Sequence, residues 1–479
     1  MTDAADAADL VATVKKGYAF DGPAVELGGL VVDGAGSADA AVRLPLSMMT
    51  RHGLVAGATG TGKTKTLQLM AEQLCDAGVP VFLADIKGDV SGMAAPGEPN
   101  DKITKRAEQL GMTWTPSGFP VEFLALGGQG TGVPVRATMT SFGPVLLSKV
   151  LGLNDVQSSS LGLVFHYADG AGLPLLDVKD LRSVIHYLTS DEGAADLSGL
   201  GGLSKATAGV LLRNLIAFED QGADVFFGEP EFDTADLLRT APDGKGVVSM
   251  LELPNLRDRP VLFSTFLMWM LADLFHDLPE VGDVDKPKLV FFFDEAHLLF
   301  DDASSDFLDA VAQTVRLIRS KGVGVFFVTQ TPKDVPEDVL GQLGNRVQHA
   351  LRAFTPNDAK ALKATVSTFP NSPYDLEEVL TQLGIGEAVV TVLSEKGAPT
   401  PVAWTMLRPP RSLMSTLDPA AQQKIVSASP LQAEYGTAVD RDSAYERLLA
   451  KHAAEAAPAT PAPEAPAAPA PAAPQERSH

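Results

Sequence analysis

The residues Gly57-Ala58-Thr59-Gly60-Thr61-Gly62-Lys63-Thr64 fit the spacing G-x-x-x-x-G-K-[ST], a loop whose backbone N–H groups wrap the phosphates of a nucleoside triphosphate. Glycine lets the backbone approach phosphate closely, and a helix starting there adds its positive dipole end. Lys63 is expected to reach the β- and γ-phosphates and Thr64 to ligate Mg²⁺ through its hydroxyl, with Lys65 completing the nucleotide-binding stretch. Downstream, Asp294 and Glu295 close an apolar run. Asp294 fits a carboxylate that holds Mg²⁺ through water, and Glu295 a general base that orients the attacking water. The bland alternative is a pair of acids ending a strand. Gln330 closes another apolar run; if its strand lies between the other two, it faces the γ-phosphate and senses hydrolysis, and otherwise it is a turn-forming amide.

These groups need particular elements behind them. Gly53-Leu54-Val55-Ala56 suits a buried strand before the loop. After it, Leu67, Met70, Ala71, Leu74 and Cys75 fall on one helical face, and Gly78 stands where a left-handed stop belongs. Val79 to Ile86 is a second strand, ending in the polar turn Asp85-Ile86-Lys87-Gly88-Asp89 at the edge where α/β ligand sites lie. Gly246 to Leu253, Lys288 to Phe293 and Gly322 to Thr329 are further strands. Phe307, Leu308, Val311, Val315 and Ile318 mark a helix capped by Ser304 or Ser305. Arg346 leads into the last core strand, Thr355 caps a helix with Pro356 at its first position and Asp358 at its third, and a hairpin from Glu387 to Met406 turns at Glu395-Lys396-Gly397.

The expected fold is α/β, a central, mainly parallel sheet flanked by helices, with a mainly helical insertion. The expected divisions are a flexible N-terminus over 1–17, the first part of the core over 18–96, the insertion over 97–245, the second part of the core with C-terminal elements over 246–450, and a disordered Pro/Ala-rich tail over 451–479.

Composition narrows the partners. Lysine and arginine total 38 against 60 aspartates and glutamates, a formal charge of −22. Phosphate neutralisation supplies most non-specific nucleic-acid affinity, so any such contact needs a local basic surface inside an acidic shell. A single cysteine, Cys75, excludes an intramolecular disulfide and a cysteine metal cluster. No secretory signal is visible, and Asp273, His276 and Asp277 interrupt the most membrane-like stretch, Val261 to Leu278. A cytoplasmic protein without a membrane partner is expected.

The phosphate loop, Phe292-Phe293-Asp294-Glu295-Ala296-His297 and Val328-Thr329-Gln330-Thr331-Pro332 occur in an order that resembles the HerA/FtsK branch of RecA-like motor ATPases, closest to bacterial proteins with a HerA-like helicase C-terminal domain. Arg51-His52-Gly53-Leu54, Leu343 to Arg352 and Phe354-Thr355-Pro356 support the likeness, which covers 18–450. The resemblance implies a hexameric ring that hydrolyses ATP with Mg²⁺ and pumps DNA through its lumen. Its active sites lie between subunits, and an arginine from the neighbour touches the γ-phosphate. Arg346 best matches that arginine, with Arg316 and Arg319 as rivals; Lys87, Lys321 and Lys333 are lumen candidates. Two rival functions are an ATPase motor with a protein cargo, or partner, and a nucleotide-gated assembly scaffold. HerA proteins carry an N-terminal β-barrel that docks a nuclease, and fewer than sixty residues precede the loop here. Asp294-Glu295-Ala296-His297 also spells a DEAH box, but the arginine-rich motif of that helicase class is missing, so His297 is read as a packing or coupling residue.

Overall fold

Each apolar run expected as a central strand is a strand, and those at Gly53, Val81, Val248, Leu289 and Val323 are buried along their whole length. Burial on both faces explains why they read as continuous hydrophobic runs instead of alternating ones. The computed structural model describes residues 4–456 apart from Ser198, Arg257 and Asp302. Among the described residues twelve strands form one sheet. They are β1 (Ala24–Val32), β2 (Ala35–Pro45), β3 (Gly53–Ala56), β4 (Val81–Asp85), β5 (Val121–Leu126), β6 (Val133–Val135), β7 (Val248–Glu252), β8 (Leu289–Phe293), β9 (Val323–Thr329), β10 (Asn345–Gln348), β11 (Glu387–Thr391) and β12 (Ala403–Leu407).

Their spatial order is β2-β1-β12-β11-β10-β3-β9-β8-β4-β7-β5-β6. From β10 to β6 every neighbouring pair is parallel, whereas β10 through β2 form an antiparallel extension. The register aligns the strand ends: Ala56 pairs with Thr329, Phe293 with Phe327 and with Ala84, and Asp85 with Glu252. The residues that follow β3, β4, β8 and β9 therefore emerge along one edge, the C-terminal edge where α/β proteins place ligands. Stacked phenylalanines fix this register. Phe292 lies 5.4 Å from Phe326, and Phe293 lies 5.6 Å from Phe327 (ring centroids).

The structure corrects several boundaries. The expected flexible N-terminus is a helix, Ala4–Gly17, anchored by Val14 and by Tyr18 just beyond it, both at most 1% exposed. Two apolar anchors four residues apart suffice to dock an otherwise Ala/Asp-rich segment. The expected insertion over 97–245 opens with the helix Asp101–Gln109 and then adds β5 and β6 to the sheet. Its later helices start at Met139 and include Asp155–Gly170, Val178–Leu188 and Lys205–Asp220, each of these three with a side-chain N-cap (Asn154, Asp177 and Ser204). The helix Ala444–Ala456 continues past the expected start of the tail at 451 and seats Ala444 and Leu448 in the core; the remainder of the tail, 457–479, lies outside the described residues. The hairpin expected over 387–406 is β11–β12. Helix Pro260–Asp277 is buried within the protein, and no described helix is long and apolar enough to cross a membrane.

Candidate nucleotide site

The phosphate loop runs from β3 into the helix Lys63–Asp76. Gly57 takes φ +155°, and a Cβ there would stand 2.4 Å from the Cβ of His349; Gly62, which caps the helix, takes φ +112°. Neither conformation suits a side chain. His349 lies fully buried beneath the loop, its Nε2 2.8 Å from the Thr66 hydroxyl, and burial drops its pKa to about 3, so it packs as a neutral ring. The first-turn N–H groups of the helix have no intrahelical partner, which leaves them to an anion. Lys63 donates from Nζ to the carbonyls of Gly57 and Ala58 at 2.7 and 3.2 Å. Burial, with the Lys87 charge nearby, lowers its pKa. Thr64 is half-buried on the first helical turn. Lys65 points elsewhere, donating to Gln68 Oε1 at 3.0 Å and the Met414 carbonyl at 2.6 Å. It lines a cavity of about 490 Å³ beside the loop, where apolar Ile103, Ile385 and Leu407 stand among the basic Lys102, Arg106 and Arg408.

Asp294 and Glu295 follow β8, two strands from β3. Asp294 is 1% exposed; its Oδ1 accepts the Glu295 N–H at 2.9 Å, and its Oδ2 is buried without a partner. Burial raises its pKa to about 7, although Lys87 pulls it down. Asp85 and Asp89, at the end of β4, place carboxylate oxygens within 4.8 Å of Asp294 and of each other. An orphaned buried oxygen beside two more carboxylates suits a divalent cation, which binds oxygen ligands. From sequence, Asp85-Ile86-Lys87-Gly88-Asp89 reads as a polar turn at the ligand-bearing edge, without a metal role. Its spacing gave no sign of the convergence, which depends on β4 lying next to β8.

Glu295 holds φ +48°, in the left-handed region that non-glycine residues avoid. Its Oε1 pairs with the Lys87 ammonium, and His297 Nδ1 lies 3.3 Å from Oε2. Burial works to raise its pKa, but the Lys87 contact outweighs that and holds the carboxyl below its usual range. His297 thus sits beside Glu295, and Lys87, expected in a lumen, is paired with that carboxylate. Lys321 is also placed elsewhere, 2.8 Å from the Leu278 carbonyl and 3.5 Å from Glu280.

β9 does lie between β3 and β8, and Gln330 at its end is exposed. It lines a cavity of about 260 Å³ with Ala58, Thr59, Lys333, Arg352 and Phe354. Arg352, missed as a site residue, donates to the Thr59 carbonyl at 3.3 Å. Arg346 is not at this edge. It sits on β10 opposite Leu54 and donates to Thr368 Oγ1 at 2.7 Å. Arg316 is exposed, and Arg319 lies 3.9 Å from Asp283.

Comparison with known proteins gives one consistent picture. The family described as Helicase HerA-like C-terminal matches residues 32–476. The curated protein called DNA double-strand break repair helicase HerA is 22% identical in Saccharolobus solfataricus over 384 residues, 79% of this chain and 67% of that one. The protein of the same name from Sulfurisphaera tokodaii is 23% identical over 357 residues, 74% of this chain and 64% of that one. The matched stretch thus spans about two thirds of these relatives' length. Among solved structures, the bacterial conjugative coupling protein TrwBdeltaN70 aligns with TM-score 0.55 at 15% identity, covering 85% of this chain and 94% of that one. Plasmid coupling protein TrwB, in complex with a non-hydrolysable ATP analogue, aligns with TM-score 0.53 at 17% identity, covering 84% and 98%. These likenesses extend to the fold.

Proposed function

The chain belongs to the HerA-like C-terminal helicase family, and from that premise we propose that it is an ATP-hydrolysing motor that assembles as a ring, a hexamer, and translocates or unwinds DNA. The observation that carries this reading is the alignment of the phosphate loop, Asp294-Glu295 and Gln330 along one sheet edge. In this reading the loop from Gly57 to Thr64 wraps the phosphates, and Lys63 exchanges its own loop's carbonyls for β- and γ-phosphate oxygens. Thr64 and Asp294 hold Mg²⁺, which when bound neutralises charge on the phosphates. Glu295 orients the attacking water and accepts its proton. Gln330, at the mouth beside Ala58 and Thr59, reports the γ-phosphate to the loop that carries Lys333. Arg346, directed away from its own subunit's loop, serves the neighbouring subunit. A cytoplasmic location accords with DNA as cargo.

The test is steady-state ATPase of the purified protein with and without single- and double-stranded DNA over a range of salt, with particle mass measured by light scattering. DNA-stimulated turnover in a ring-sized particle is expected. Turnover indifferent to DNA at every salt concentration would instead assign the motor a protein cargo, consistent with the net charge of −22.

A further inference from the structure

Lys87 stands in a turn that is itself held in place. The Asp85 carboxylate accepts the N–H groups of Gly88 at 2.7 Å and Asp89 at 3.3 Å on one oxygen, and of Val90 at 3.0 Å on the other. From this fixed turn the Lys87 side chain, 30% exposed, reaches a Glu295 side chain that is 8% exposed. The imidazole of His297 faces the second Glu295 oxygen at 3.3 Å. One oxygen of the proposed base is therefore held by the Lys87 ammonium, the His297 ring stands near the other without hydrogen-bonding to it, and its backbone is held at φ +48°. A carboxylate oxygen paired with an ammonium is a weaker acceptor for the proton of an attacking water. Lys63 is likewise turned onto the carbonyls of its own loop.

We propose that Lys87 is a positioning residue that restrains Glu295, and that the charge of a bound triphosphate competes for the ammonium and loosens this hold without abolishing it. The proposal rests on Glu295 being the base, and it explains how a filled subunit keeps its turnover slow in the absence of cargo. Lys87 takes no part in bond making, so removing its charge frees the base and leaves nucleotide affinity in place.

Two measurements test it on the full chain, with Lys87→Met, which keeps the apolar stem, and Lys87→Arg. The first is a double-mutant cycle in melting temperature between Lys87→Met and Glu295→Gln. The shifts are expected to be non-additive without nucleotide and less so with Mg²⁺ and a non-hydrolysable ATP analogue. The second is turnover without cargo. Lys87→Met should raise kcat about threefold or more with KM within about twofold, and Lys87→Arg should restore the slow rate. Additive shifts in the nucleotide-free protein overturn the restraint, as does an unchanged or lower kcat in Lys87→Met. A KM for Lys87→Met raised about tenfold makes Lys87 a nucleotide ligand and overturns it too. If the wild type hydrolyses nothing, the motor reading fails on that result, while the melting cycle still decides whether the restraint exists.

Discussion

At the scale of single residues the site is a small set of buried and half-buried charges that converge at one sheet edge. Lys63 occupies carbonyls that a triphosphate would displace, so Lys63→Ala should abolish tight nucleotide binding, checked by titration with a fluorescent ATP analogue. Glu295→Gln should keep that affinity and slow hydrolysis by about 10²-fold or more, the usual scale for losing a positioned base. Asp294 carries the unpartnered buried oxygen, and a bound cation is what would satisfy it. Chelating divalent cations should therefore shrink the rise in melting temperature that nucleotide gives the wild type, and Asp294→Asn should show a small rise with or without chelator. Equal responses in both proteins would place the cation elsewhere.

At the scale of elements, the ends of adjacent parallel strands bring the acids together, and this arrangement stores a pH dependence. Glu252 closes β7 opposite Asp85. Burial raises its pKa to about 7, with Gln422 opposing and Asp85 assisting. The folded chain therefore holds a proton on Glu252 that the unfolded chain, at an ordinary glutamate value, has already lost. Stability from this group is full below the unfolded value near 4.5 and declines as pH rises towards 7. Glu252→Gln should flatten that decline, read as melting temperature from acid to neutral pH. The strands themselves depend on packing: Phe292, fully buried against Phe326, should cost about 3–5 kcal/mol as Phe292→Ala in denaturant unfolding.

For the whole molecule, the question is how a chain of charge −22 handles a polyanion and how subunits share a site. Of the three lysines expected in a lumen, Lys87 serves Glu295 and Lys321 pairs near Glu280, which leaves Lys333, exposed beside Gln330 and Phe354. Phe354 is 82% exposed at this mouth, a position suited to contact with another subunit. Arg346 faces Thr368 instead of its own phosphate loop. Arg346→Ala should spare nucleotide binding yet lose turnover, and mixing it with Glu295→Gln subunits should restore part of the rate. Mixtures that stay as inactive as their components would show that Arg346 does not act across an interface.

The sequence by itself determined the elements with strong local causes. Short apolar runs bounded by turn residues suit buried strands in a sheet covered on both faces, and β3, β4, β7, β8 and β9 are that. Gly62-Lys63-Thr64 after such a run specifies the phosphate loop, and the Thr355-Asp358 capping box specifies its helix start. Tertiary structure decided whatever depends on which strands are neighbours. Asp85 and Asp89 meet Asp294 because β4 pairs with β8, some two hundred residues apart in sequence, and the same pairing carries Lys87 onto Glu295. Those contacts leave no periodicity or spacing to read. They arise from sheet order, which the summed packing of the core selects and no single segment encodes.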